Sequence, residues 1–213
     1  MSESRIKVLL IDDHMVVRNG MRLMLGSAKN IDVTGEAPNA HEAMELIRHT
    51  DFDVALVDIN LPDRSGLELL KLLRNEKPKM AVLMLSMYAE DAYALRAFKN
   101  GAAAYLTKDC SVATVIAAVT KAAAGGKYVS AAMTEKMAKM LGGVNTVSHD
   151  ALSDRELEVL KQLAIGESLV AIGEALHLSP STVTTYRARI LEKMGLKSNA
   201  ELARYAFENK LIS

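Results

Sequence analysis

The sequence predicts an α/β protein: a five-stranded, doubly wound parallel sheet, followed by a small all-helical helix-turn-helix domain. Three observations carry this. Over the first 125 residues, five short apolar runs alternate with five stretches of helical spacing. Gly125-Gly126 closes the last of these. From Leu152 onward every segment reads as helix. The 213 residues accommodate one large domain or two small ones, at roughly 100–200 residues each.

The predicted strands are Lys7–Ile11, Ile31–Gly35, Val54–Val57, Ala81–Leu85 and Ala103–Leu106. Most are continuous apolar runs, as strands covered on both faces require. Helices are predicted between and after them, at about 14–28, 39–50, 65–76, 89–100 and 111–124. Residues 127–149 open with the strand-like Tyr128-Val129-Ser130 and continue as a linker with one short helix and the polar run Gly142–Thr146. Ser153, with Glu156 three residues later, forms a capping-box pattern for a helix that stops at Gly166. Ser168 caps a second helix ending near His177. Ser179, with Pro180 at the first helical position, caps a third that runs to Met194 and stops at Gly195. A fourth covers about Ser198–Glu208. The turn Leu176-His177-Leu178-Ser179 has helix-turn-helix spacing. The expected domains are 1–126, a linker at 127–149, and 150–213.

Half the residues are hydrophobic and 24% are charged, the balance of a folded globular chain. No apolar run approaches the ~18 residues that span a bilayer. A single cysteine, Cys110, excludes an internal disulfide framework and a cysteine-based zinc cluster, so a cytoplasmic protein with no membrane partner is expected. The 26 basic and 26 acidic residues cancel, so any attraction to nucleic acid must be local.

Ligands of open parallel sheets collect at the carboxyl ends of the strands. There the chain places Asp12 and Asp13 after strand one, Asp58 after strand three, Ser86 after strand four, and Lys108 just after strand five. Carboxylates crowded together repel, and a hard divalent cation with oxygen ligands relieves them; Mg²⁺ suits few carboxylates plus phosphate oxygens and water. His14 reads as a surface residue at the start of helix one rather than a metal ligand, and Cys110 as structural.

These segments resemble the flavodoxin-like receiver domain of two-component response regulators, and the whole chain resembles their NarL/FixJ subfamily. The matching stretches are VLLIDDHMVVRNG, DVALVDINLPDRSGLELL around Asp58, MLSMYAED and GAAAYLTKD, with 45 residues from Asp13 to Asp58 and 50 from Asp58 to Lys108. The resemblance implies that Asp58 takes a phosphoryl group from a phosphohistidine on a sensor histidine kinase. It implies that Asp13 binds Mg²⁺ directly, with Asp12 in support and the Asn60 backbone carbonyl as a further ligand. Lys108 and Ser86 would meet the phosphoryl oxygens, and Tyr105 would be the switch aromatic that turns inward as Ser86 moves. Pro62 and Gly66 would shape the loop after Asp58, and Asn60 and Tyr88 would tune dephosphorylation.

Residues 152–213 resemble the LuxR-type DNA-binding domain, in LSDRELEVLKQLAIGES and IGEALHLSPSTVTTYRARILEKMGLKSNAELARYAFENKLI. From residue 150 onward there are eight basic and nine acidic residues. Between Thr184 and Arg204, however, five basic residues face only Glu192 and Glu201. By resemblance the third helix lies in the major groove, with Thr182, Thr184, Thr185 and Ala188 facing base edges or phosphates and Val183 and Ile190 inward. Arg187, Arg189 and Lys193 complete the expected DNA-binding set. The chain departs from many relatives in carrying Thr184 for Lys, Tyr186 for His and Val170 for Lys, which points to a different target site.

The resulting expectation is a phosphorylation-controlled transcription regulator, not a turnover enzyme. It would bind promoter DNA as a dimer, with the last helix as the C-terminal dimer surface and RNA polymerase as a further partner. Two alternatives differ in class. A Mg²⁺-dependent aspartyl-phosphate hydrolase would need a second Asp two residues beyond its nucleophile at strand one, where Asp12 and Asp13 are followed by His14 and Met15. A DNA-binding regulator with a degenerate receiver conflicts with the complete acidic set.

Overall fold

The computed structural model describes residues 5–87, 92–130, 134–135, 149–209 and 211–212. Its contacts divide the chain into two compact units, Met1–Met137 and Ala138–Ser213.

In the first unit, five strands and five helices alternate: β1 (Ile6–Ile11), α1 (Met15–Gly26), β2 (Ile31–Ala37), α2 (Ala40–His49), β3 (Val54–Asp58), α3 (Gly66–Glu76), β4 (Ala81–Ser86), α4 (Ala92–Lys99), β5 (Ala104–Thr107) and α5 (Val112–Ala123). The sheet is parallel throughout, in the order β2-β1-β3-β4-β5. The chain therefore reverses its direction of winding at β1, and a crevice opens between the carboxyl ends of β1 and β3. Val8, Leu10, Leu56, Leu83 and Leu106 pack against Met21 and Leu25 of α1 and Val115 and Val119 of α5. Alternate residues such as Leu9, Ala55 and Val57 are equally buried on the other face. Burial on both faces is why these strands carry no polar alternation.

The strands run one or two residues beyond their apolar runs. β3 ends on Asp58 and β4 on Ser86, so two polar side chains belong to the sheet itself. β2 extends to Ala37, which pairs with Ile11; as an edge strand it tolerates exposed Asp32 and Thr34. Tyr128 forms a parallel bridge with Ala104, its N–H donating to the Ala103 carbonyl at 2.8 Å, so the strand-like 128–130 segment begins alongside β5. Of the predicted linker helix only Thr134 and Glu135 are described, and both are helical; the polar run 142–146, Tyr88 and the start of the predicted 89–100 helix lie outside the described residues.

In the second unit a short 3-10 turn (His149–Ala151) precedes α6 (Asp154–Ala164), α7 (Leu169–Ala175), α8 (Pro180–Met194) and α9 (Asn199–Glu208). The helix starts agree with the cap residues: Ser153, Ser168, Ser179 and Ser198 each accept a backbone N–H of the first turn. Ser153 and Glu156 complete the capping box reciprocally. Leu157, Leu160, Ile172, Val183, Ile190, Leu202 and Ala206 form the interior. In the α7–α8 turn the chain doubles back tightly. His177 adopts a left-handed backbone (φ 51°), and Leu178 N–H returns to the Gly173 carbonyl at 2.8 Å. A Cβ on Gly173 would lie 2.6 Å from the Leu178 carbonyl oxygen, so only glycine permits this approach.

Candidate functional site

At the carboxyl end of the sheet, Asp12, Asp58 and Ser86 are each at most 2% exposed. Lys108 reaches into the same place. Its ammonium lies 2.8 Å from Asp58 Oδ2, to which it donates, and 2.6 Å from Asp12 Oδ2. The latter contact is an ion pair without hydrogen-bond alignment, so the buried Asp12 Oδ2 accepts no aligned hydrogen bond among the described residues. Asp13 is exposed beside them, and His14 Nδ1 sits 2.7 Å from its Oδ1. One ligand atom from each of Asp12, Asp13, His14 and Asp58 falls within a common span of 4.8 Å. With neutral His14, three carboxylates and one ammonium leave two negative charges.

Burial and this crowding together act on Asp58 and Lys108. Burial pushes the Asp58 carboxyl up to about 6, with Asp12 adding to the rise and Lys108 and the Asn60 N–H opposing it. For Lys108, burial pushes downward, but the two carboxylates outweigh it and leave the ammonium above the ordinary lysine value. A divalent cation matches both the charge and the oxygen donors of this pocket.

The local fold holds the constellation in place. Arg18, one turn into α1, donates to the Asp12 carbonyl at 2.6 Å and lies 3.4 Å from Glu36 of β2. The His14 N–H donates to Asp12 Oδ1 at 2.9 Å. Asp63, in the loop after β3, accepts the N–H groups of Ala40 and His41 and so ties that loop to the start of α2. Asn60 is exposed and bridges to Ser65. Tyr105 is 2% exposed, already inside, and pairs in register with Met84. Sequence reasoning missed Arg18 and Asp63; the Asp63 cap spans 23 residues and leaves no local pattern. His14 is exposed at the start of α1, where the sequence places it.

On α8, Val183 and Ile190 are fully buried, while Thr184, Thr185, Ala188 and Arg189 are exposed and Thr182 is half-buried. Thr184 and Thr185 donate their hydroxyls back to the Pro180 and Ser181 carbonyls, at 2.9 and 3.1 Å. Thr182, Thr185, Tyr186 and Arg189 line a shallow groove of about 300 Å³ with Ser181. Arg187 donates to Asn199 at 2.7 Å. Lys193 donates to Glu156 at 2.7 Å, tying the end of α8 to the start of α6.

Burial pushes the Glu156 carboxyl up, but Lys193 and the Ser153 donors outweigh it, so its value is lowered overall. A lowered carboxyl contributes stability above its unfolded value of about 4.3, and loses it as pH falls through the folded value. Glu156→Gln retains a capping-box side chain but removes the charge. It should cost about 1 kcal/mol at pH 7, and the difference should shrink toward zero below about pH 4, in denaturant melts at the two pH values.

Comparison with known proteins decides the family. The profile described as "Response regulator receiver domain" matches residues 8–120, more than half of the chain. The chain is a response regulator. A second profile, "Bacterial regulatory proteins, luxR family", matches residues 150–206, so this response regulator joins a receiver to a LuxR-family domain as a transcription regulator. The chain is 38% identical over 204 residues to the transcriptional regulatory protein UhpA of Escherichia coli K12, covering 95% of this chain and 98% of UhpA. It is 33% identical over 211 residues to the response regulator GacA of Pseudomonas aeruginosa, covering 97% and 98%. Among solved structures, a LuxR-family two-component response regulator from Aurantimonas sp. SI85-9A1 superposes with a TM-score of 0.60 at 31% identity, covering 66% of this chain and all of that one. RcsB of Salmonella typhimurium shares the fold at 20% identity, with a TM-score of 0.70 over 96% of this chain and 98% of RcsB. As a response regulator the chain is a regulator rather than a turnover enzyme. Among the described residues no helix is long and apolar enough to cross a membrane.

Proposed function

We propose that Asp58 accepts a phosphoryl group from the phosphohistidine of a sensor histidine kinase, and that this controls binding of promoter DNA by helix α8. One observation carries the reading: Asp12 and Asp58, both buried, share the Lys108 ammonium beside exposed Asp13, in a pocket with two surplus negative charges. The Asp58 carboxylate attacks phosphorus; the donor P–N bond breaks as the P–O bond forms, and the imidazole leaves. Lys108, already in contact with Asp58, passes its donors to the incoming phosphoryl oxygens, and the Ser86 hydroxyl meets the same oxygens. Tyr105, buried one strand away from Ser86, is the side chain whose packing changes with that contact. Asp12, Asp13, Asp58 and the Asn60 carbonyl would hold Mg²⁺, which when bound screens the carboxylates from the anionic donor. The same pocket would return Asp58 to its free state by hydrolysis, a single self-directed event rather than turnover.

In this reading residues 1–126 are the receiver, 127–149 the linker and 150–213 the DNA-binding domain of a cytoplasmic protein. Two copies engage paired half-sites, with Phe207, 68% exposed on α9, on the dimer surface. RNA polymerase is the further partner. Thr182, Thr184, Thr185 and Ala188 face the bases. Because the hydroxyl protons of Thr184 and Thr185 are engaged by the helix, these residues offer methyl groups, which suit thymine methyls, and hydroxyl oxygens as acceptors. Among the phosphate-facing cations Arg187, Arg189 and Lys193, only Arg189 makes no ion pair or side-chain hydrogen bond among the described residues. Arg189→Ala should therefore weaken promoter binding about tenfold and lower the slope of log K against log salt by about 1 per chain, with a smaller effect for Lys193→Ala. Genome-wide mapping of occupied DNA sites with and without a phosphodonor tests the whole reading. Occupancy that does not respond would remove the switch.

A further inference from the structure

His14 is the N-cap residue of α1, yet its side chain caps nothing. The imidazole turns instead toward the acidic pocket, with Nδ1 2.7 Å from Asp13 Oδ1 and 3.4 Å from Asp12 Oδ1. Neighbouring ligands on an octahedral ion with bonds of about 2.1 Å stand about 3.0 Å apart, and these two separations bracket that edge. A second observation concerns a different atom: Asp12 Oδ2, fully buried, has no aligned hydrogen bond among the described residues and is met only by the Lys108 ammonium at 2.6 Å.

We infer that His14 is a nitrogen ligand of this pocket, and that with Asp12 and Asp13 it makes the site bind borderline divalent cations such as Ni²⁺ or Zn²⁺ more tightly than its oxygens alone would. This rests on the reading of the pocket as a divalent-cation site and extends it to the identity of the ion. Imidazole nitrogen favours Ni²⁺ and Zn²⁺ over Mg²⁺, which prefers oxygen and keeps its waters. Without metal, Nδ1 stands at ion-pair distance from Asp13. On binding, the proton is carried by Nε2 on this solvent-exposed ring, and the Nδ1 lone pair turns to the ion. With Mg²⁺ the ring would stay off the ion, beside Asp13. The receiver would therefore take up whichever divalent cation is available, with transition ions competing effectively against Mg²⁺.

The test is calorimetric titration of the full chain with Mg²⁺ and, separately, with Ni²⁺, for the wild type, His14→Gln and Asp13→Asn. The expected result is a Ni²⁺ affinity at least about tenfold weaker in His14→Gln, while its Mg²⁺ affinity stays within about threefold of wild type. Asp13→Asn should weaken both. With Cu²⁺ as a spectroscopic probe, nitrogen hyperfine splitting in the electron paramagnetic spectrum should be present in the wild type and lost in His14→Gln. Unchanged Ni²⁺ affinity in His14→Gln with normal Mg²⁺ binding would overturn the role of His14 and leave the Mg²⁺ site standing. Failure of the wild type to bind either ion at the pocket would overturn both.

Discussion

Asp58→Asn is expected to abolish labelling of the chain by a small-molecule phosphodonor and, in metal-free protein, to raise its melting temperature. The first effect follows from chemistry, since an amide is no nucleophile toward phosphorus at neutral pH. The second follows from burial. Asp58 is 2% exposed, and its carboxyl is pushed up to about 6 from an ordinary value near 4. Between those two values the folded chain holds a proton that the unfolded chain has released, so stability falls as pH rises through that window. Above pH 6 the full cost of the buried anion is in place. Asn removes it while Lys108 keeps Asp12 as a partner, for a net gain on the order of 1–2 kcal/mol at pH 7. Intact-mass measurement reads the labelling, and thermal melts at pH 4 and pH 7 read the stability. Mg²⁺ should stabilise the wild type and have much less effect on Asp58→Asn. Undiminished labelling would remove Asp58 as the acceptor. A melting temperature lowered at pH 7 would show that the Lys108 contact outweighs the cost of burial.

The sheet was legible because strands covered on both faces must be apolar throughout, and Val8–Ile11 or Val54–Val57 can be little else. Their last residues were not, because Asp58 and Ser86 are polar yet pair within the sheet, where register rather than hydropathy decides. The acidic pocket was legible through topology: once five parallel strands are in order, their carboxyl ends converge. How the charges are satisfied was not. Lys108 lies within reach of two carboxylates, and only the fold shows that it touches both. Charge counting is equally blind to pairing on α8. Lys193 is one of five basic residues between Thr184 and Arg204, and Glu156, 37 residues away, holds its ammonium. Helix caps, in contrast, were readable to the residue, since a Ser cap acts on donors two or three positions ahead.

Gly66→Ala should be the most damaging single-methyl change in the receiver. Gly66 opens α3, and its N–H donates to the Ile59 carbonyl at 2.7 Å, which lays the helix start directly on the end of β3. A Cβ there would stand 2.0 Å from the Asp58 carbonyl oxygen and 2.9 Å from both the Asp58 carbonyl carbon and Ile59 Cα. All three are backbone atoms of the strand end that carries Asp58, so no side chain can swing aside to relieve the clash. Either α3 lifts away and loses its bond to Ile59, or the end of β3 shifts and takes Asp58 with it. The cost should be about 3 kcal/mol, at the upper end for small-to-large substitutions. The two modes of relief separate experimentally. Lifting α3 lowers the melting temperature but preserves Mg²⁺ affinity and phosphodonor labelling. Shifting β3 lowers all three, because Lys108 Nζ is only 2.8 Å from Asp58 Oδ2 and the pocket has no spare reach. The second outcome is expected, since the nearest contact is with Asp58 itself. A variant with wild-type stability and labelling would refute the close packing of α3 on the end of β3.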